Sequence, residues 1–143
     1  MKRLSFAPLA LLALAGCSGV LGSDSTRRPA LIEFPDGGPV VVEVPATATA
    51  GTSFTVAINS YGGSCIGQGP TQVEVSGLTA TVEPYQFELV DGNATCTQEI
   101  RTYRNVVQLR FDQTGTGRIL FRGRSQSAGG EIITVERTVT VVQ

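Results

Sequence analysis

Apolar and polar residues alternate with a period of two along much of the chain. Phe54, Val56 and Ile58 are separated by polar or small neighbours, and the same alternation returns later in the sequence. Because successive side chains of a strand point to opposite faces of a sheet, this pattern predicts strands with one buried face. We expect strands at residues 31–34, 40–44, 52–59, 71–76, 78–82, 85–90, 107–111, 118–124 and 131–142.

Glycine and proline separate these predicted strands. Pro84 is expected to end one strand, and the two glycines of residues 112–117 predict a hairpin that joins the strands on either side. Residues 46–50 and the glycine-rich segment 60–70 are expected to be loops, and residues 99–105 a short turn or helix.

The pattern of short strands, without a clear amphipathic helix, is typical of an all-β protein. Over residues 31–143 it resembles the immunoglobulin-like or fibronectin-like sandwiches, which implies an antiparallel β-sandwich of seven to nine strands. The alternative is a small β-barrel. The chain has no Trp and therefore lacks the Cys…Trp…Cys spacing of true immunoglobulin domains, so the resemblance implies a fold and no function.

The N-terminus carries the most specific motif. Lys2 and Arg3 precede an apolar run of about ten residues, half of what a bilayer-spanning helix needs, which is typical of a secretory signal. The next four residues, Leu14-Ala15-Gly16-Cys17, are similar to the lipobox of bacterial lipoproteins.

This resemblance implies that residues 1–16 are removed and that Cys17 becomes a lipidated N-terminus, acylated on its sulfur and its amine. Residues 17–30 are then a flexible tether, and residues 31–143 the folded domain. Ser18 stands where an Asp would resemble an inner-membrane retention signal. We therefore expect an exported protein anchored to the bacterial cell envelope, on the outer membrane if the cell has one.

Two cysteines remain after Cys17. Exported chains fold in an oxidising compartment, so Cys65 and Cys96 are expected to form a disulfide. The alternative is a thiol pair used for metal binding or redox chemistry, although no Cys-x-x-Cys motif is present.

Composition excludes several kinds of chemistry. The 143 residues contain no His, and Lys2 is the only lysine, which rules out Ser-His-Asp and Cys-His catalysis, His-ligated metals and lysine Schiff bases in the processed chain. Glu83 with Glu88 or Asp91 is the remaining acid–base pairing, a weak basis for an envelope hydrolase. We expect no enzyme, no cofactor and no metal site, since the turns at residues 36–38 and 91–93 do not resemble a calcium loop.

Arginines are concentrated in the second half of the chain. The chain from residue 100 onward contains seven arginines and three carboxylates, whereas residues 18–99 contain two arginines and nine carboxylates. The candidate interaction surface combines this basic stripe with two tyrosines and comprises Arg110, Arg118, Arg122, Arg124, Tyr61 and Tyr103. The alternative is a solvated sheet face whose arginines pair with Glu74, Glu83 or Glu88 on adjacent strands.

These features favour a non-catalytic binding module that is held at the membrane by its lipid anchor and uses loops 60–70 and 91–105 for recognition. The expected partner is an envelope protein or a glycan, and a net charge of −1 gives no reason to expect nucleic acid. The alternative is a structural or assembly component that docks on an envelope complex.

Overall fold

A computed structural model describes residues 25–34, 36–89 and 95–143. The predicted signal peptide, Cys17 and the turn at residues 91–93 lie outside these ranges. The described residues contain nine strands and no helix. The strands are β1 (Ser25–Pro29), β2 (Val42–Glu43), β3 (Thr47–Thr49), β4 (Ser53–Gly62), β5 (Ile66–Ser76), β6 (Thr79–Leu89), β7 (Arg101–Arg110), β8 (Gly115–Arg124) and β9 (Ile132–Val142).

The strands form two sheets, which confirms the predicted all-β sandwich. The larger sheet has six strands in the order β1-β6-β8-β9-β3, with β5 paired to the other edge of β6, and the smaller sheet has the order β2-β4-β7. Over the described residues the sheets do not close into the small barrel that was the alternative. No helix among these residues is long and apolar enough to cross a membrane.

The larger sheet is mixed, whereas the sequence resemblance implied antiparallel strands throughout. Strand β3 pairs with β9 in parallel, and residues 79–82 of β6 pair in parallel with residues 118–121 of β8. Both parallel pairs join segments that are distant in sequence, so no local turn signal could have indicated their direction.

The core lies between the sheets. Alternate residues of β6, β8 and β9 point inward from the larger sheet, and those of β4 and β7 point inward from the smaller one. Phe111 and Phe121 are the largest fully buried side chains. They pack in one cluster with Ile32, Val56, Ile58, Val82, Leu109, Ile119 and Val139.

The folded domain starts earlier than residue 31. Residues 25–29 were expected to belong to a flexible tether, but they form β1 and pair with residues 85–89 of β6. Ala30 is fully buried and its N–H donates to the carbonyl of Pro84. The tether prediction is therefore wrong for residues 25–30. The predicted strand 31–34 is reduced to bridges from Leu31 to Tyr61 and Arg124.

Pro84 does not end a strand. It lies buried within the continuous strand β6. One edge of β6 pairs with β8 over residues 79–82 and with β1 over residues 85–89, and Pro84 lies between these two segments. The carbonyl of Pro84 accepts a hydrogen bond from the N–H of Ala30 at this edge, and the proline nitrogen faces the same edge. Because no ladder hydrogen bond is needed at this junction, proline is tolerated inside the sheet.

The predicted hairpin of residues 107–124 is also wrong. Strand β7 pairs with β4 in the smaller sheet, and β8 pairs with β9 and β6 in the larger one, so residues 112–114 cross between the sheets. Three segments expected to be irregular are largely strands: residues 46–50 contain β3, residues 60–70 contain the end of β4 and the start of β5, and residues 99–105 open β7.

Candidate ligand cavity

A cavity of about 430 Å³ opens at one end of the sandwich. Its size is within the range of small-ligand sites. Its lining comes from the ends of β1, β4 and β8, the start of β5, the middle of β6 and the turn before β9. The lining residues are Arg28, Leu31, Tyr61, Gly62, Gly63, Ile66, Gln86, Arg124, Gln126, Gly129 and Gly130.

Arg28 reaches the cavity from β1. It stands opposite Gln86 of β6 in the antiparallel register, and one terminal nitrogen, Nη1, lies 2.9 Å from Oε2 of Glu88. Its Nε is buried and has no hydrogen-bond partner among the described residues. An unpaired buried donor is unfavourable by about 1–3 kcal/mol, so the described contacts do not satisfy this guanidinium.

Arg124, the last residue of β8, is the second cation of the lining. Its Nε donates to the carbonyl of Pro29 at 2.7 Å, which holds the guanidinium beside the end of β1. Burial lowers the pKa of Arg124, and the positive charge of Arg28 lowers it further, while Glu88 acts in the opposite direction. The two arginines therefore line one partly desolvated cavity, in which their like charges oppose each other.

Gln86 forms the polar floor. It is 3% exposed, and its Oε1 accepts a hydrogen bond from the N–H of Leu31 at 3.2 Å. Leu31 is itself bonded to both sheets, because its carbonyl accepts from Tyr61 while its neighbours Ala30 and Ile32 bond to Arg124. The floor therefore lies where the two sheets are joined by backbone hydrogen bonds.

The turn at residues 125–130 forms one wall. Glu33 accepts hydrogen bonds from the hydroxyls of Ser125 and Ser127 and from the N–H of Ser127. These bonds lower the pKa of Glu33, and the bond from Ser125 has the largest effect. Gly129 and Gly130 close the turn at φ 65° and 90°, a region that side chains disfavour. The wall is thus held by a carboxylate from a distant segment.

The opposite wall is fixed by the disulfide. Cys65 and Cys96 are bonded, as predicted, and Cys65 lies between Gly63 and Ile66 of the lining. The N–H of Leu89 donates to the carbonyl of Cys65, and the hydroxyl of Tyr103 donates to that of Ile66. These bonds tie the β4–β5 turn to β6 and to β7.

The structure separates the predicted arginine stripe. Arg118 and Arg122 alternate with the buried residues of β8 and lie on its outer face, whereas Arg124, the last residue of β8, is partly buried and bonded to Pro29. Arg110 lies on the other sheet and pairs with Asp112. Arg118 pairs with Glu136 on β9, and Arg122 shares a small pocket with Glu74 and Glu83. Arg124 alone of the four lines the cavity.

The predicted tyrosine pair does not form. Tyr61 stands opposite Thr102, and Tyr103 stands opposite Ser60, so the two rings leave the sheet on opposite faces. Tyr61 lines the cavity and packs edge-to-face on Phe34, with ring centres 5.1 Å apart. Tyr103 instead donates its hydroxyl hydrogen bond to the carbonyl of Ile66.

The predicted carboxylate pair is also not assembled. Glu83 and Glu88 are five positions apart on β6, and the two-residue period of a strand places them on opposite faces. Asp91 lies outside the described residues. Among the residues that the structure describes, no group of three His, Cys, Asp or Glu side chains could hold a metal ion.

Arg28 and Gln86 were missed by sequence reasoning. Arg28 follows Arg27 in a segment without apolar alternation, and only the pairing of β1 with β6 brings it to the cavity. Gln86 is a polar residue on the inward-facing side of its strand, a signal that could have identified it.

No protein-family model, curated protein or solved structure matches the chain.

Proposed function

We propose that this chain is an exported, lipid-anchored protein whose β-sandwich acts as a non-catalytic binding module. The binding site is the cavity between Arg28 and Arg124 at the disulfide-bonded end. The observation that carries this proposal is the convergence of two arginines and a buried glutamine on one concave, ligand-sized space.

Preorganisation of the cavity walls supports a binding role. Each wall is held by contacts between distant parts of the chain: the disulfide on one side, and the hydrogen bonds of Glu33 to Ser125 and Ser127 on the other. A site whose walls are already ordered loses less conformational entropy when a ligand binds.

A blocking substitution tests the site. Gln126 is exposed at the cavity rim, so Gln126→Trp places a large neutral side chain there without changing charge. Gln113→Trp is the matched control, because Gln113 is an exposed residue between β7 and β8 and does not line this cavity.

Each full chain is purified from detergent-solubilised envelope, and the material bound to it is analysed by mass spectrometry. We expect a molecule recovered with the wild type to be lost from Gln126→Trp and kept by Gln113→Trp. Equal recovery with all three chains would refute the cavity as the binding site.

The lipid anchor is proposed from Leu14-Ala15-Gly16-Cys17. Two or more acyl chains on Cys17 would give stable membrane attachment, at about 0.8 kcal/mol per buried CH₂ group. In Cys17→Ser we expect acylation to be lost and unprocessed precursor to accumulate, as measured by mass spectrometry of the membrane fraction. A wild-type N-terminus that is unmodified and begins at another residue would contradict the anchor.

A second candidate is the structural component that docks on an envelope complex. Val73 and Val75 of β5 stand opposite the buried residues Val82 and Ala80, yet they are 37% and 45% exposed. Val73 and Val75 therefore form an exposed apolar surface that suits a protein partner. If docking there is the function, Val73→Ser/Val75→Ser loses the partner and Gln126→Trp keeps it.

A further inference from the structure

We infer that the cavity receives a single carboxylate group, held between the guanidinium groups of Arg28 and Arg124. This inference rests on the proposed binding function and specifies the chemistry of its ligand. Arginine presents N–H donors in a planar fork that matches a carboxylate, which favours this group over an uncharged one.

The charge balance of the site indicates one negative charge. Among the residues that the structure describes, Arg28 and Arg124 are the charged residues of the lining, and Glu88 neutralises one of them through its 2.9 Å contact with Arg28. One net positive charge therefore remains. A monoanion balances it, whereas a phosphate dianion would bring a second charge close to Glu88.

The contacts already made by the two arginines leave donors for such a ligand. Arg124 uses Nε to hold Pro29, so its terminal nitrogens are not engaged by that bond. Arg28 uses Nη1 on Glu88, and its Nε is unpaired but buried, so a ligand would meet this guanidinium at its terminal nitrogens. The amide nitrogen of Gln86 is a further donor, because the oxygen of that side chain is the atom bonded to Leu31. An anion between the guanidinium groups would also offset their mutual repulsion.

The probes are matched pairs that differ in the carboxylate. N-acetylglycine is compared with its N-methylamide, and glucuronate with glucuronamide, by NMR titration of the full chain. We expect saturable shifts of the Arg28 and Arg124 side-chain signals with at least one acid and with neither neutral analogue. Binding of N-acetylglycine alone would indicate a peptide C-terminus, and binding of glucuronate alone a sugar acid.

Substitutions identify the residues that hold the anion. Arg28→Gln and Arg124→Gln are each expected to weaken acid binding about ten- to a hundredfold. Arg118→Gln is the matched control, since Arg118 pairs with Glu136 on the outer face of the same sheet and does not line the cavity. Glu88→Gln should strengthen binding about two- to fivefold, because it removes the internal competitor for a partly exposed Arg28.

The outcomes separate this inference from the proposed function. Equal binding of an acid and its neutral analogue, or undiminished acid binding by both Arg28→Gln and Arg124→Gln, overturns the carboxylate while leaving a binding cavity. Tighter binding of inorganic phosphate than of either acid overturns it as well. If Arg124→Gln does not fold, Arg28→Gln and Glu88→Gln still test the carboxylate site. Acid binding should become weaker in Arg28→Gln and stronger in Glu88→Gln.

Discussion

At the scale of single residues, Gly117 shows how closely the core is packed. A Cβ atom at this position of β8 would lie 2.6 Å from Cε2 of Phe111 and 3.0 Å from Cγ1 of Val139. Phe111 is fully buried, so its ring cannot move outward without opening a gap between the sheets.

We therefore expect Gly117→Ala to lower the free energy of unfolding by about 1–3 kcal/mol through overpacking. Gly67→Ala is the control, because a Cβ there would meet only the carbonyl oxygen of Phe87 at 4.0 Å. Urea denaturation measures both variants. If they unfold at the same midpoint, Gly117 is not needed for packing.

Glu33 is a residue whose charge state affects the fold. Hydrogen bonds from Ser125 and then Ser127 lower the pKa of Glu33 in the folded protein below its usual 4.5. The folded state thus favours the ionised form. The stabilisation is fully present above the unfolded pKa and is lost as pH falls through the folded pKa.

We expect the urea midpoint of Glu33→Gln to fall less steeply below pH 4.5 than that of the wild type. Ser125→Ala provides an independent check, because removing the strongest donor should raise the pKa of Glu33 toward its usual value, as measured by NMR titration of the side-chain carboxyl. An unchanged pKa in Ser125→Ala would contradict this account.

At the scale of elements, strands with strong alternation could be predicted and strands fixed by their partners could not. Phe54, Val56 and Ile58 identify β4 from the sequence, because one face of that strand meets the core. The sequences of β1, Ser-Thr-Arg-Arg-Pro, and β3, Thr-Ala-Thr, have little apolar character. They are strands because β6 and β9 offer unpaired edges, which is tertiary information.

Strand β1 gives the sharpest test at this scale. Removing residues 1–30 deletes the pairing with residues 85–89 and the buried Ala30, whereas removing residues 1–24 keeps both. We expect the shorter chain to be less stable by about 3–5 kcal/mol, at roughly 1 kcal/mol for each lost hydrogen bond. Urea denaturation compares the two, and equal midpoints would restore the tether interpretation for residues 25–30.

The candidate site, like the strands, could be predicted from the sequence only in part. Tyr61 and Arg124 were identified as interaction residues from their residue types and neighbours, and both line the cavity. Arg110 was grouped with them because the sequence suggests a hairpin, but β7 belongs to the smaller sheet and β8 to the larger one. Tyr103 lies in the same sheet as Tyr61, but the register of β4 and β7 places the two rings on opposite faces. A site built at the junction of two sheets depends on topology, which local patterns do not contain.

At the scale of the whole molecule, the disulfide joins two of the connections that run between the sheets. Cys65 lies between β4 of the smaller sheet and β5 of the larger one, and Cys96, 31 positions further on, lies between β6 of the larger sheet and β7 of the smaller one. In the unfolded chain this cross-link closes a loop of about thirty residues and restricts its conformational freedom. The bond thus stabilises the sandwich and one wall of the cavity together.

Replacing both cysteines with Ser should lower the free energy of unfolding by about 2–4 kcal/mol. The melting midpoint should fall by roughly 10–20 °C in a domain of this size. Circular dichroism measures the transition, and a reducing agent should destabilise the wild type but not the double variant. Free thiols at both positions in the exported wild type, found by non-reducing peptide mapping, would contradict the bond.

The position of β1 also determines how the protein would carry mechanical load. Tension applied through an N-terminal anchor enters the described fold at β1, the strand that carries Arg28. The next residues, 30–32, are bonded to β4, β6 and β8. Force between the proposed lipid anchor and the proposed ligand of Arg28 and Arg124 would therefore follow a short path through β1 and the residues that bond it to β4, β6 and β8.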